Sequence, residues 1–308
     1  MHWQNPYING GVWLKGNLHT HSTVSDGRHK INEVVRLYKE LAKYDFLVMT
    51  DHTGNKTKIE EFTENIQLDD FVLIMGREES GGHHILGIDV PMTFYDDPIK
   101  KESDSYSIAD YQFLINRIKD EGGLAIIPHP HWKYDDYWTA EQILKLDGIT
   151  AFEVINGDRF NGPRNLATDV WDEVLTAGKV LWAVGSDDFH HPRDYYNAWT
   201  MVKAKSNTKT DIMEAIECGS CYTSNGASFE SIETDGDYII IKCSNESIYS
   251  KCEKTFRFIG EGGKLLQLQM GKSPTAVYRG QGNEKYVRVE MTLDWGMAAF
   301  TQPFFSVV

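Results

Sequence analysis

The sequence predicts an α/β fold: a parallel sheet with helices outside, closed or nearly closed into a TIM-like barrel, followed by a small antiparallel β domain. Strand-like and helix-like segments alternate over roughly the first 228 residues, the pattern of a parallel sheet covered by helices. Histidines and carboxylates recur at the C-terminal ends of the strand-like runs, the rim on which barrel active sites are assembled. An open sheet would draw its ligands from a single crevice. Beyond about residue 229 the helical period stops, and short runs separated by glycine-rich turns take over.

Trp3 to Gly11 reads as an extended lead-in and Val12 to Leu18 as the first strand. Ile31 to Lys43 has apolar residues at 31, 34, 35, 38, 41 and 42, a helical period. Phe46 to Thr50, Phe71 to Met75 and Ile85 to Val90 read as strands. Ile108 to Asp120 is a helix that Gly122 and Gly123 end. Leu124 to Ile127 is a strand stopped by Pro128, Ala140 to Leu146 a short helix, and Ala151 to Ile155 a strand. Asn165 to Ala177 is a helix with Gly178 as its C-cap. Val180 to Val184 is the next strand and Thr208 to Glu217 the last helix. In the C-terminal part Tyr238 to Lys242, Thr255 to Ile259, Lys264 to Met270, Tyr286 to Met291 and Ala298 to Val308 read as strands of a sandwich. The expected domains are residues 10–228 and 229–308.

Composition narrows the function. The chain has 308 residues, 41% of them hydrophobic and 25% charged, with a formal net charge of −14. Such a balance argues against a general basic surface for duplex nucleic acid. It leaves room for a small phosphorylated substrate, because bound cations reverse the local sign of an acidic pocket. No apolar run is long enough to span a bilayer, and no secretory signal is evident at the N-terminus. Four cysteines point to a reducing compartment, so a cytoplasmic location is expected. Cys218 and Cys221 have Cys-x-x-Cys spacing without the second pair that a zinc site needs; they read as small packed residues.

The chemistry concentrates in a few motifs. His19 and His21 are alternate residues at the end of an apolar run, so their side chains share a face on a strand. Asp26 stands in a turn-like Ser25-Asp26-Gly27. Asp51-His52 ends another run, with Asp51 read as a hydrogen-bond partner of an imidazole. Of Glu78 and Glu79 only one can point inward from an extended segment. His84 opens an apolar run, with His83 read as outward-facing. Pro128-His129-Pro130-His131 gives two same-side imidazoles if extended. Asp187, Asp188, His190 and His191 follow the strand ending near Val184. Oxygen and imidazole donors without thiolate suit Mn²⁺, Fe²⁺ or Zn²⁺, and so many donors imply more than one ion. Two ions about 3.5–4 Å apart can generate hydroxide and clamp a displacement at phosphorus.

The same motifs, His19-x-His21, Ser25-Asp26-Gly27, Thr50-Asp51-His52, Gly76-x-Glu78, His84-Ile-Leu-Gly, His129-Pro130 and Asp188-x-His190, resemble in order those of the PHP (polymerase and histidinol phosphatase) family, over roughly residues 10–228. The ending, Phe300 to Val307, is similar to a branch with a C-terminal β domain. The resemblance implies a distorted (β/α)7 barrel holding two or three divalent metals and hydrolysing phosphomonoesters, nucleotides or oligonucleotide ends. It implies one metal on His19, His21, Glu78 and Asp188, a second on Glu78, His84 and His129, and a third on Asp26, His52 and His190. Two departures stand out: Asp26 replaces a frequent His, and Gly185-Ser-Asp-Asp-Phe-His190 is one residue longer than usual, leaving Asp187 as an alternative to Asp188.

The expected activity is therefore metal-dependent hydrolysis of small phosphate esters or nucleotides by a metal-bridging hydroxide, with Glu78 and Asp188 at the reacting centre. His131 or His191 is expected to protonate the leaving group, and Arg28, Lys133, Arg159, Arg164 or Arg193 to hold phosphate oxygens. A carbamate, ester or amide hydrolase, or a non-catalytic metal-stabilised binding protein, is the alternative. The oligomeric state is not legible.

Overall fold

The computed structural model describes residues 2–8, 10–53, 68, 70–91, 106–132, 137–158, 166–244 and 251–307. In chain order these form β1 (His2–Gln4), β2 (Val12–Asn17), α1 (Ile31–Arg36), β3 (Phe46–Met49), β4 (Val72–Glu79), β5 (Ile85–Ile88), α2 (Ile108–Asp120), β6 (Leu124–Ile127), α3 (Ala140–Leu144), β7 (Ile149–Asn156), α4 (Thr168–Thr176), β8 (Trp182–Ser186), β9 (Trp199–Ala204), α5 (Lys209–Glu217) and β10 (Cys221–Ser224). There follow β11 (Phe229–Asp235), β12 (Tyr238–Cys243), β13 (Lys254–Gly260), β14 (Lys264–Gly271), β15 (Thr275–Arg279), β16 (Tyr286–Leu293), β17 (Ala298–Phe300) and β18 (Phe304–Val307). Hydroxyl caps start three helices: Ser107, Thr139 and Thr208 each accept from the backbone N–H three residues on. The helix expected to run to Lys43 ends as a wider π-type turn over Leu37–Leu41.

β2, β3 and β4 run parallel, as do β6, β7 and β8. Most of their residues are buried (every one in β3 and β6, half in β2), as befits strands covered on both faces. Inside lies a core of Leu14, Leu18, Phe46, Val48, Ile74, Leu86, Ile126 and Val184. The sheet is not wholly parallel. β5 is antiparallel to both β4 and β6, because the link from Glu79 to Ile85 is too short for a crossover and can only form a hairpin. The unexpected β9 and β10 are also antiparallel, β9 to β2 and β10 to β9.

No closed ladder appears among the described residues, so the expected barrel closure is not seen as a continuous sheet. β8 ends the strand order. It is tied to β2 by one isolated parallel bridge, Thr20 to Phe189, and to its other neighbours by side chains. The Thr200 hydroxyl bonds both the N–H and the C=O of Gly185, at 3.0 and 2.8 Å. The Gln302 amide does the same at Ala183, at 2.8 and 2.7 Å. A Cβ on Gly185 would lie 1.9 Å from Thr223 Oγ1, so only glycine admits this approach.

The C-terminal strands form two layers. β11, β12 and β15 make a separate antiparallel sheet. It shares an apolar core with β13, β16 and β18 through Ile232, Ile239, Ile241, Phe256, Phe258, Val287 and Phe304. The run expected from Ala298 to Val308 is two strands, β17 and β18, interrupted around Pro303. β17 pairs with β10 as well as β16, so the large sheet passes unbroken across residue 228. The lead-in is also structured: β1 pairs with β18, and Trp3 and Tyr7 join the C-terminal core.

Candidate metal centre

Seven of the strands around the inner core, β2 to β8, contribute to one rim, and β9 and β10 do not. β2 ends just before His19 and His21, and β3 just before His52. Glu78 is on the last turn of β4. Because β5 runs backwards, its N-terminal side faces this rim and brings His84 to it. β6 leads to His129, β7 carries Glu153 and Asn156, and β8 leads to Asp188 and His190.

Local bonding fixes these positions. Asp51 accepts from Ser22 N, Ser22 Oγ and Ser25 Oγ at 2.7, 2.8 and 2.6 Å. It therefore clamps the loop after His21; the expected bond to an imidazole is not made, since the nearer hydroxyls and amides take both its oxygens. Gly27 closes that loop where an added Cβ would lie 2.6 Å from the His21 carbonyl carbon. The backbone N–H of His84 donates to Tyr137 Oη at 2.9 Å, and its C=O accepts from Trp138 Nε1 at 3.2 Å. His129 and Asp188 both have positive φ, 30° and 51°, a local strain of the kind that clusters at functional sites. That turn at His129 also ends the expected same-side pairing with His131. His131 Nε2 lies 2.9 Å from Asp169 Oδ1, and His131 is not among the residues lining the cleft.

Glu78 is the centre of the cluster. Its Oε1 is 2.8 Å from His84 Nδ1 and 3.1 Å from His129 Nε2. Its Oε2 is 3.0 Å from His52 Nδ1 and 3.3 Å from the Nε2 atoms of both His19 and His21. Asp188 Oδ1 lies 3.1 and 3.4 Å from the same two Nε2 atoms. Asp26, exposed at the mouth, lies 3.6 Å from His52 Nε2 and 3.4 Å from His190 Nε2. Glu79 points elsewhere: it pairs with Arg77 at 2.7 Å and with Arg117. Asp187 does too, accepting from Tyr38 Oη and the backbone N–H groups of Tyr196, Asn197 and Ala198 at 2.7–2.9 Å.

Two buried groups escaped the sequence reading. Glu153 Oε1 meets His19 Nδ1 at 3.0 Å, and its Oε2 accepts from His129 N and Asn156 Nδ2, both at 2.8 Å. Asn156 Nδ2 also reaches Asp188 Oδ2 at 3.2 Å. A lone Glu inside an apolar strand was the available signal, since a buried carboxylate needs partners. His83, expected to face out, instead packs on the rings of Tyr111, Tyr137 and Trp138.

The donor set fits divalent cations. The Glu153 carboxylate can only accept, so it favours a proton on His19 Nδ1, which would leave the Nε2 lone pair aimed at two carboxylate oxygens. The Nε2 atoms of His19 and His21 are buried without a hydrogen-bond partner. Lone pairs facing carboxylates repel unless a cation or a proton stands between them. Four groups of donors each lie within 4.8 Å: His21, Asp26, His52 and His190; His19, His21 and Asp188; His19, Glu78 and His129; His52, Glu78 and His84. Burial alone would raise the Glu78 carboxyl, but His84, His52 and His19 outweigh it and hold it well below its ordinary value. Burial lowers His52, yet Glu78 and Asp26 push it up to about 10. Burial dominates at His84 and takes it down to about 4.

Glu153→Gln is expected to weaken metal binding by about 10- to 100-fold, the usual cost of losing a carboxylate behind a ligating imidazole. Metal titration of the folded variant checks this, and unchanged affinity would remove Glu153 from the site.

The cluster floors a cleft of about 460 Å³, lined also by Trp132, Asp158, His191 and Asp194. Arg28 and Arg193 are not among its lining residues, though both help to hold the pKa of His191 down. Lys133, Arg159 and Arg164 lie outside the described residues.

No family model matches the chain, and no curated protein matches it. Solved structures do. PsfC from Pseudomonas syringae PB-5123 superposes with a TM-score of 0.46 at 12% identity, over 66% of this chain and 87% of its own. A two-domain protein from Bacteroides vulgatus ATCC 8482, containing a predicted PHP-like metal-dependent phosphoesterase, superposes with a TM-score of 0.56 at 17% identity, over 95% of this chain and 94% of its own. The chain thus resembles, in fold and over nearly its whole length, a PHP-like unit joined to a second domain.

Proposed function

We propose that this chain is a metal-dependent phosphoesterase acting on small phosphate esters, nucleotides among them. The observation that carries the reading is the Glu78 carboxylate, which presents one oxygen to His84 and His129 and the other to His19, His21 and His52. A carboxylate placed between two imidazole sets is suited to being shared by two ions. His19, His21, Glu78 and Asp188 would hold one, and Glu78, His84 and His129 the second, with Asp26, His52 and His190 for a third. Bound there, Mn²⁺, Fe²⁺ or Zn²⁺ would supply an activated water and offset charge on the phosphoryl and leaving oxygens.

The protein groups have separable tasks. Glu153 keeps the His19 lone pair directed inward, and Asn156 orients Asp188. Arg28 and Arg193, both close enough to His191 to act on its charge, would meet anionic oxygens of a bound substrate. Partial burial and these two arginines lower the pKa of His191. An arriving phosphate dianion opposes that and favours the protonated imidazole, the form able to protonate a leaving oxygen. The residues lining the cleft all precede residue 228, which supports placing the chemistry in residues 10–228. The four cysteines are free thiols, in keeping with a reducing, cytoplasmic setting. No helix among the described residues is long and apolar enough to cross a membrane.

Purified protein is expected to take up about two or more equivalents of transition metal and to hydrolyse p-nitrophenyl phosphate or nucleoside monophosphates only with metal present. A silent phosphoester panel would overturn the reading if carbamates or aryl esters were turned over and Asp188→Ala abolished that activity.

A further inference from the structure

The cleft has one wall unlike the rest. Trp132 follows the metal-site loop after β6, and its backbone N–H donates to the His129 carbonyl at 2.9 Å. Its ring stands 4.9 Å from that of His84 and 5.1 Å from that of His129. The other lining residues are imidazoles and carboxylates. Trp132 therefore sets a large apolar ring beside the two imidazoles that flank Glu78 Oε1.

A phosphoryl group drawn to the cluster leaves its alcohol portion in the remaining cleft. The volume of about 460 Å³ falls among pockets that enclose whole organic ligands, roughly 300–1,000 Å³, and far exceeds the need of orthophosphate. Trp132 also packs on its imidazole neighbours, and this packing alone would account for a fully buried ring. Tyr137 is a third ring neighbour at 5.2 Å, yet the residue is only partly buried and lines the cleft, so part of its surface meets whatever occupies that space.

Resting on the phosphoesterase reading, we propose that Trp132 is a specificity-determining residue that selects phosphate esters whose alcohol portion is a planar ring system, by stacking on it. Base-on-aromatic stacking is worth about 1–3 kcal/mol, which corresponds to roughly 5- to 150-fold in affinity.

The test uses the full chain loaded with Mn²⁺, with KM read for glycerol phosphate, phenyl phosphate and adenosine monophosphate and a competitive inhibition constant for inorganic phosphate. The wild type is expected to show a KM roughly 5- to 150-fold lower for the two ring-bearing esters than for glycerol phosphate. Trp132→Leu should erase that preference while keeping metal content and the affinity for inorganic phosphate, and Trp132→Phe should retain most of it. A larger preference for the adenosine ester than for the phenyl ester would identify an extended ring as the better occupant. The stacking proposal is overturned if the wild type shows no ring preference or if Trp132→Leu keeps it. It is also overturned if the variant loses metal and all ligands alike, which would make Trp132 a positioning residue for His84 and His129. Absence of turnover of every ester, with metal retained, would overturn the phosphoesterase reading as well.

Discussion

Replacing Glu78 by Gln is expected to remove at least one bound ion and to lower phosphoester turnover on the order of 10³-fold, the scale for loss of a preorganised charge partner. The amide keeps the shape of the side chain but loses the charge and one acceptor. Its NH₂ group would also face imidazole nitrogens that now face carboxylate oxygen, at 2.8–3.3 Å. The neighbouring substitution is the control. Glu79→Gln should leave metal content intact and lower stability, because Arg77 and Arg117 would lose their shared carboxylate and a broken buried pair costs about 3–5 kcal/mol. Metal analysis and thermal melts of both variants decide between the residues. Metal loss on Glu79→Gln, with Glu78→Gln unaffected, would put the register wrong by one.

A loss of stability as large, again without loss of the site, is expected from Asp172→Ala. Asp172, on α4, receives Arg288 of β16 at both oxygens, Nε at 2.8 Å and Nη2 at 2.6 Å, and the Tyr286 hydroxyl at 3.1 Å. Both charged side chains are buried, at 8% and 2% exposure. The guanidinium also lies 5.1 Å from the ring of Trp171 and bonds Glu290 at 2.6 Å. Removing the aspartate leaves Arg288 buried with one carboxylate where it had two. A loss of about 3–5 kcal/mol follows, to be read from urea denaturation, whereas Asp172→Ala with Arg288→Met should recover part of it. A loss under about 1 kcal/mol, the value of an exposed pair, would show that the pair is not holding α4 against the C-terminal strands.

Most of the clustered residues were legible because they are short polar punctuation at the ends of apolar runs. His19 and His21 stand out by alternation, and Glu78 and His84 by position. Adjacent carboxylates were harder. Asp187 and Asp188 look alike in sequence, and only the fold shows one meeting Tyr38 and three backbone amides while the other meets His19. Glu153 was hidden because its strand looked purely structural. Its signal, a charge in a fully buried run, required asking what would satisfy it. The reversed β5 was implicit in the short link after Glu79. β9 and β10 gave no such sign, being short strands whose pairing depends on distant partners. Among the C-terminal strands β12, β13, β14 and β16 were legible, β11 and β15 were not expected, and β17 and β18 were merged because the break between them is a few residues long.

The bonds from Gln302 and Thr200 to β8 bear on what that strand leaves open to another chain. A terminal strand usually offers its unpaired amides and carbonyls as a template on which another chain can add a strand. In β8 those of Ala183 and Gly185 are already taken, in each case by one side chain that donates and accepts. Two polar side chains thus do the work of a neighbouring strand at that edge. Gln302 lies 119 residues after Ala183, so during synthesis this edge stays open until those residues have emerged. The interval before Gln302 docks is therefore the period in which newly made protein is most exposed to aggregation through this strand.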